Sequence, residues 1–159
     1  MSSYLRQKKK YKNSNQNIQL LIFVVNKNYM IKLKYIILYV EDVQKSMNFY
    51  KNTFDFEIKF ITPENDYGEL ISGETTLSFA SLELAGSNIK KGFLASKTVD
   101  KPFGIELGFV TDDVKALVEK SIANGASLYE EITVKPWGQT TAYIKDIDNY
   151  LVEICTEIQ

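Results

Sequence analysis

The feature that most restricts the fold of this chain is an internal repeat. The segment YIILYVEDV, residues 35–43, aligns with ELGFVTDDV, residues 106–114, about 71 residues further along. In each copy a strand-like alternation is followed by an acidic helix cap and an apolar helical stripe. This spacing is too long for a solenoid and predicts two copies of one module.

Each copy predicts the element order β-α-β-β-β. A helix follows the first strand of each module, capped by Asp42 in the first copy and by Asp112-Asp113 in the second. The strands predicted in the first copy cover residues 35–40, 56–61, 67–71 and 75–80. Those predicted in the second copy cover residues 105–110, 127–134, 139–145 and 150–155.

The alternation also predicts which side of each sheet the helices cover. The apolar residues on the helix-covered side are Ile36, Leu38, Ile105, Leu107, Phe109, Val152 and Ile154. The opposite side carries Tyr35, Tyr39, Ser78, Glu106 and Glu153. Two sheets placed edge to edge, with helices outside, would curve this second side into a cleft. We therefore predict an α+β fold of two tandem βαβββ modules that form a curved mixed sheet with a concave ligand cleft.

One folded domain is predicted over residues 30–159. Module 1 covers about 30–81, a linker covers 82–103, and module 2 covers about 104–157. Residues 1–29 contain six basic and no acidic side chains, and they include one short apolar run at residues 20–25. That run is too short to span a membrane, and no small-residue cleavage site follows it. We expect a disordered or loosely attached extension on a cytoplasmic protein.

Composition excludes several kinds of chemistry. The chain has no histidine, so the commonest metal ligand and the commonest acid–base group are both missing. Its single cysteine, Cys155, rules out an internal disulfide and a multi-cysteine metal site. Residues 30–159 carry 13 basic and 20 acidic side chains, a net charge of −7. An acidic body argues against a nucleic-acid partner and favours cationic ligands.

Glu153 is the most informative single residue, because it is a carboxylate in the middle of an apolar strand. Carboxylates are rarely buried without a partner, so the position requires an explanation. One interpretation is a salt bridge or a solvated sheet face, with Lys59, Lys135 and Lys145 as the candidate partners. The other is a ligand or metal site on the concave side of the sheet.

Aromatic side chains give further candidates. Trp137, between Pro136 and Gly138, is either an aromatic wall for a ligand or a packing residue of a loop. The tyrosines that line the cleft, or else pack within the fold, are Tyr35, Tyr39, Tyr67 and Tyr143. Cys155 is predicted to be a buried, inert thiol.

Three motifs resemble a known superfamily. They are YVEDVxKSxxFY at residues 39–50, PWGQ at 136–139, and a final DxD followed by LVEI. Together with the paired modules, they are similar to the vicinal oxygen chelate superfamily, which groups glyoxalases, bleomycin-resistance proteins and extradiol dioxygenases. The resemblance covers residues 30–156. The final turn departs from the usual DPDG, because Ile147 replaces proline and Asn149 stands near the glycine position.

The resemblance implies where a metal would bind. Metal-using relatives place one ligand in the first strand and one in the last strand of each module, which correspond here to Tyr35, Ser78, Glu106 and Glu153. Of these only Glu106 and Glu153 are good ligands, so at most a weakly held divalent ion is expected. The resemblance also implies a homodimer and leaves open whether the modules pair within or across chains.

Two functions follow as hypotheses. The first is a metal-independent small-molecule binding protein, similar to the drug-sequestering branch, with a cationic or aromatic ligand and no membrane or nucleic-acid partner. Its predicted contacts are Tyr35, Tyr39, Ser78, Glu106, Trp137, Tyr143 and Glu153. The alternative is a glyoxalase-type lyase or isomerase, in which Glu106 and Glu153 hold a divalent ion and a carboxylate moves a proton.

Overall fold

The computed structural model describes residues 31–158, and Lys34 onward forms one compact unit. The strands of the first module are β1 Tyr35–Val40, β2 Glu57–Ile61, β3 Tyr67–Ile71 and β4 Thr76–Ser81. The strands of the second are β5 Glu106–Val110, β6 Ser127–Val134, β7 Thr140–Lys145 and β8 Leu151–Cys155. The helices are α1 Val43–Phe54, α2 Leu82–Asn88 and α3 Val114–Ala123, with a 3₁₀ turn at Ser96–Thr98.

The strands form two four-stranded mixed sheets, one from each module. The order in the first, sheet A, is β1-β4-β3-β2, and the order in the second, sheet B, is β5-β8-β7-β6. In both sheets the first strand pairs in parallel with the last strand of its own module, and the other pairs are antiparallel. The repeated module and the α+β class predicted from the sequence are therefore confirmed.

The helices begin where the sequence places their caps. The Asp42 carboxylate accepts a 2.9 Å hydrogen bond from the Lys45 amide, and Asp113 caps α3 in the same way through the Ala116 amide. Each cap satisfies a backbone donor that lacks a partner inside the helix. Gly125, with φ of +106°, follows α3 and supplies the left-handed conformation that ends it.

One apolar core joins both modules. It includes Met47 and Tyr50 of α1 together with Ile144 and Ile154 of sheet B, all of which are almost completely buried. Helix α1 approaches β3 so closely that a Cβ atom at Gly68 would collide with the Met47 sulfur. That Cβ would also lie 3.1 Å from the Phe60 carbonyl oxygen, so glycine is required at this position for close packing of helix on sheet.

Three details differ from the sequence-based prediction. The predicted linker contains α2, a seven-residue helix whose N-terminus is capped by the Ser81 hydroxyl. Ile105 was expected in the core but is 75% exposed, because β5 begins one residue later at Glu106. Ile36 is also partly exposed, since β1 is the edge strand of its sheet. Within residues 31–158, no helix is long and apolar enough to cross a membrane.

Candidate ligand site

Glu153 lies in the centre of sheet B, on the side away from the helices. In the ladder it stands between Gly108 of β5 and Tyr143 of β7. Its neighbours Val152 and Ile154 point the other way and are fully buried. The Tyr143 hydroxyl donates a 2.9 Å hydrogen bond to Glu153 Oε1. The carboxylate therefore has a neutral partner and not a lysine.

Tyr143 remains a hydrogen-bond donor throughout the physiological pH range. Burial, with the hydrogen bond to Glu153 as the next cause, raises the pKa of Tyr143 to about 12. Burial likewise raises the pKa of the Cys155 thiol, with the Glu153 charge adding to the effect. Cys155 is buried, and its thiol stays protonated and inert, as the sequence indicated.

Glu106 joins Glu153 on the same surface. It lies on β5 two residues before Gly108, the ladder partner of Glu153, and its side chain is exposed. The negative charges of both carboxylates raise the pKa of Tyr143, so both side chains act on the same phenol. A Cβ atom at Gly108 would lie 3.9 Å from Glu153 Oε2, so the carboxylate lies against the β5 backbone that carries Glu106. Glu106, Glu153 and Tyr143 thus form one site, here called the sheet B cleft.

The lysines proposed as partners do not neutralise these glutamates. Among the described residues, no lysine or arginine nitrogen lies within 4.0 Å of a carboxylate oxygen of Glu106 or Glu153. Lys135 instead lies over the Tyr143 ring, with Nζ 5.7 Å from its centroid. Lys145 lies 5.8 Å from the Tyr129 ring. The salt-bridge interpretation of Glu153 therefore has no support in this part of the chain.

Sheet A carries a second polar cluster that the sequence reasoning missed. Its centre is Glu69 of β3, which is 6% exposed and accepts from Lys59 Nζ at 2.7 Å and from the Tyr67 hydroxyl at 3.1 Å. The strand alternation could have identified Glu69, because Gly68 and Leu70 on either side of it pack toward α1. Lys59, one of the three predicted partners, therefore pairs with Glu69.

Two of the predicted site residues belong to this second cluster. Ser78 is fully buried opposite Glu69 in the ladder. Its hydroxyl lies beside the Tyr67 phenol but makes no hydrogen bond of standard geometry with another described residue. Burial raises the pKa of Tyr67, and the charges of Glu69 and of the nearby, half-exposed Tyr35 add to this.

The remaining predicted contacts lie elsewhere. The Tyr39 ring packs on Phe93 with centroids 4.9 Å apart, and the Tyr39 backbone bonds to the Tyr150 hydroxyl. Trp137 lines a separate pocket with Asp112 and the segment that follows β8. The structure thus brings Glu106, Tyr143 and Glu153 together. Tyr35 and Ser78 lie in the cluster on sheet A, Tyr39 packs on Phe93, and Trp137 lines a separate pocket.

The donor set does not fit a catalytic divalent metal. Over residues 31–158, no group of three or more His, Cys, Asp or Glu side chains is arranged to hold a metal ion. In the sheet B cleft, one oxygen of Glu153 already accepts from Tyr143. The matching positions in sheet A hold Tyr35 and Ser78, which are weak ligands for a hard cation.

Comparison with known proteins agrees with this fold. Residues 33–159 match the family model described as a glyoxalase-like domain. No curated protein sequence is significantly similar to the chain. A glyoxalase-related enzyme from Fulvimarina pelagi is 18% identical, with a TM-score of 0.68, and the alignment covers 80% of this chain and 89% of that one.

Two further solved structures are similar. A glyoxalase/bleomycin resistance protein/dioxygenase family enzyme from Burkholderia phytofirmans is 21% identical with a TM-score of 0.67, and the alignment covers 81% of this chain and 100% of that one. A hypothetical protein from S. aureus is 26% identical with a TM-score of 0.65, and the alignment covers 84% of this chain and 99% of that one.

The tandem modules and the open sheets define a glyoxalase-fold protein. The chain belongs to the glyoxalase-like domain family, and the expected membership of the vicinal oxygen chelate superfamily is confirmed.

Proposed function

We propose that this protein binds small organic cations in the sheet B cleft without a metal ion. The observation that carries the proposal is the state of Glu153, whose carboxylate is held by the Tyr143 hydroxyl and has no cationic partner in the described chain. A half-buried carboxylate has lone pairs beyond the one that Tyr143 occupies, so it is suited to accept a charge-assisted hydrogen bond from a ligand.

The two carboxylates of the cleft outweigh the Lys135 cation that lies over the Tyr143 ring, so its charges favour a cation. Glu106 and Glu153 lie on the same side of adjacent strands, so their negative charges repel each other. A ligand cation between them relieves this repulsion, while the Tyr143 phenol stays neutral. The exposed Val110, further along β5, offers apolar surface to the body of the ligand. An amidinium or ammonium group on an aromatic ring matches these features.

We further propose that two copies of the chain form a homodimer through the apolar side chains exposed on or beside β1 and β5. β1 and β5 are the last strands of their sheets, and residues of both line the same two pockets. The exposed apolar side chains on or beside these strands are Tyr35, Ile36, Ile37, Ile105 and Val110. Exposed apolar side chains of this kind offer a surface that a second copy can bury. Sedimentation of the full chain measures its oligomeric state, and a strictly monomeric protein at micromolar concentration would contradict this proposal.

The ligand proposal is tested with a matched pair of probes, benzamidine and benzamide. The two have nearly the same shape, but only benzamidine is a cation at neutral pH. Calorimetric titration should show that Glu153→Gln weakens benzamidine binding by about 1–3 kcal/mol, the range for a hydrogen bond to a charged group. The same variant should leave the weaker binding of benzamide unchanged.

Glu119→Gln is the control variant, because Glu119 is an exposed residue of α3 and lies outside the cleft. It removes the same charge from the protein and should leave benzamidine affinity unchanged. Equal losses for both probes in Glu153→Gln, or no loss for either, would show that Glu153 serves the fold and not recognition.

The alternative function, a metal-dependent lyase or isomerase, needs more ligands than one chain brings together. Residues 1–29 contain no acidic side chain, no histidine and no cysteine, so they cannot supply a strong ligand for a divalent ion. Additional ligands would have to come from a second copy. The metal content of the purified protein separates this function from simple binding.

A further inference from the structure

A pocket lies at the end of sheet B and does not include Glu153 or Tyr143 in its lining. It has a volume of about 480 Å³. Its lining includes Asp112, Trp137, Thr140, Thr156, Glu157 and Ile158. Thr140 and Thr156 continue the sides of their strands that carry the buried Ala142 and Ile154, whereas Glu153 lies on the opposite side. This space, here called the Trp137 pocket, is therefore distinct from the site that contains Glu153.

The indole of Trp137 is exposed but held in place. Its side chain is 60% exposed, and Nε1 donates a 3.0 Å hydrogen bond to Gln139 Oε1. The amide nitrogen of Gln139 in turn donates to the Thr156 carbonyl oxygen at 2.9 Å. The polar atom of the indole is thus satisfied within the protein, and the faces of the ring remain available to a ligand.

The pocket is acidic. Asp112 and Glu157 contribute two carboxylates, and none of the described residues that line the pocket is a lysine or arginine. In the described part of the chain, neither carboxylate makes a salt bridge or a side-chain hydrogen bond. An anion would be repelled, while a cation would meet two negative charges and the electron-rich face of a tryptophan, the strongest aromatic partner for a cation.

We propose that the Trp137 pocket is a second binding site, which takes a small organic cation of the quaternary ammonium type. Its volume falls within the range of about 300–1,000 Å³ typical of small-molecule sites. A quaternary ammonium group has no hydrogen to donate, so it is recognised by an aromatic face and nearby carboxylates and not by hydrogen bonds. The site works independently of the sheet B cleft.

The test uses the only tryptophan of the chain as its own reporter. Choline is titrated into the full-length protein, and tryptophan fluorescence is followed. Its neutral analogue 3,3-dimethylbutan-1-ol, which has carbon in place of the ammonium nitrogen, is titrated in parallel. Sodium chloride at equal ionic strength is the control for screening. The expected result is a saturable change with choline and binding at least about tenfold weaker for the neutral analogue.

Variants test the two carboxylates. Asp112→Asn and Glu157→Gln keep the shape of the pocket and the fluorophore, and the double variant should weaken choline binding by about tenfold or more. Glu131→Gln, an exposed residue of β6 outside the pocket lining, should bind choline like the wild type. The proposal is overturned by no change beyond that caused by sodium chloride, by equal binding of both probes, or by a double variant that binds choline unchanged.

This measurement is separate from the test of the sheet B cleft. Benzamidine binding in the cleft depends on Glu153, whereas choline binding in the Trp137 pocket depends on Asp112 and Glu157. Failure of one therefore leaves the other unaffected.

Discussion

The hydroxyl of Tyr50 in the first module donates a 2.7 Å hydrogen bond to Asp146 Oδ2 in the second, and both residues are buried. The other Asp146 oxygen accepts from the backbone amides of Asp148 and Tyr150. Ser46 of α1 donates to Asp148 in a parallel contact between the same two segments. The turn that connects β7 to β8 thus ties the modules together through buried polar groups.

Replacement of Tyr50 by phenylalanine should destabilise the protein by about 1–3 kcal/mol, because it leaves one oxygen of a buried carboxylate without its partner. Chemical denaturation measures the change. Tyr129→Phe is the matched control, because Tyr129 is 40% exposed and its hydroxyl makes no hydrogen bond among the described residues. Similar stabilities of Tyr50→Phe and wild type would contradict the assigned role of the bond between the modules.

Asp146 should make the stability of the protein depend on pH. Burial raises the pKa of Asp146 from 3.8 to about 6, so the folded protein binds this proton more tightly than the unfolded chain does. The stability it contributes is fully present below the unfolded pKa and is lost as the pH rises through about 6. Between about pH 7.5 and pH 4.5, the wild type should gain roughly 1–3 kcal/mol relative to Asp146→Asn.

The comparison with Asp146→Asn removes the contributions of titrating groups that do not interact with Asp146, whereas Asp148, whose pKa burial also raises, is coupled to Asp146 by charge. Asparagine keeps the acceptor for the two backbone amides and can still bond to Tyr50. Denaturation curves at several pH values provide the measurement. Parallel pH profiles of wild type and variant would show that Asp146 does not titrate differently on folding.

Gly68→Ala should destabilise the protein by about 1–3 kcal/mol, the usual effect of overpacking a dense core. The added methyl group would collide with the Met47 sulfur, and the Phe60 carbonyl on its other side prevents a simple shift. Gly104→Ala is the control, because a Cβ at Gly104 meets no atom within 4 Å, and its effect should stay within about 0.5 kcal/mol. Equal effects of the two substitutions would contradict close packing of α1 on β3.

Protein purified without added metal should contain no stoichiometric transition-metal ion, because within residues 31–158 the four positions that correspond to the metal ligands of relatives offer only Glu106 and Glu153 as strong ligands. Addition of nickel, zinc or iron should not raise the melting temperature, as a ligand of the native state would. Elemental analysis and thermal melting measure the two quantities. One ion per chain that is lost in Glu153→Ala would favour the enzyme over the binding protein.

Local periodicity was sufficient to predict the architecture. The alternation around Leu38 and the caps at Asp42 and Asp113 are encoded within a few residues, so strands and helices could be placed to within one or two residues. Asn149 stands near the usual glycine position of the last turn, and it adopts a φ of 71°, the left-handed conformation that glycine would otherwise supply. By contrast, α2 has only seven residues, too few to show a helical period.

The contacts of the candidate site were less accessible from sequence. The side of the sheet that carries Glu153 follows from alternation, but the identity of its partner does not. Tyr143 reaches Glu153 because β7 and β8 pair in one particular register. Lys135 and Lys145, which the sequence offers equally as partners, lie over aromatic rings. The bond from Tyr50 to Asp146 joins residues 96 positions apart and has no local signal.

The position of β8 has a consequence for synthesis of the protein. β8 lies inside sheet B, between β5 and β7, although it follows both of them in the chain. Until β8 has emerged from the ribosome, β5 has no partner strand of its own module, and the two flanking strands cannot join. Sheet A contains only strands that are translated before those of sheet B. The first module can therefore form its sheet early in translation, whereas the second cannot complete its sheet until its last strand has been translated.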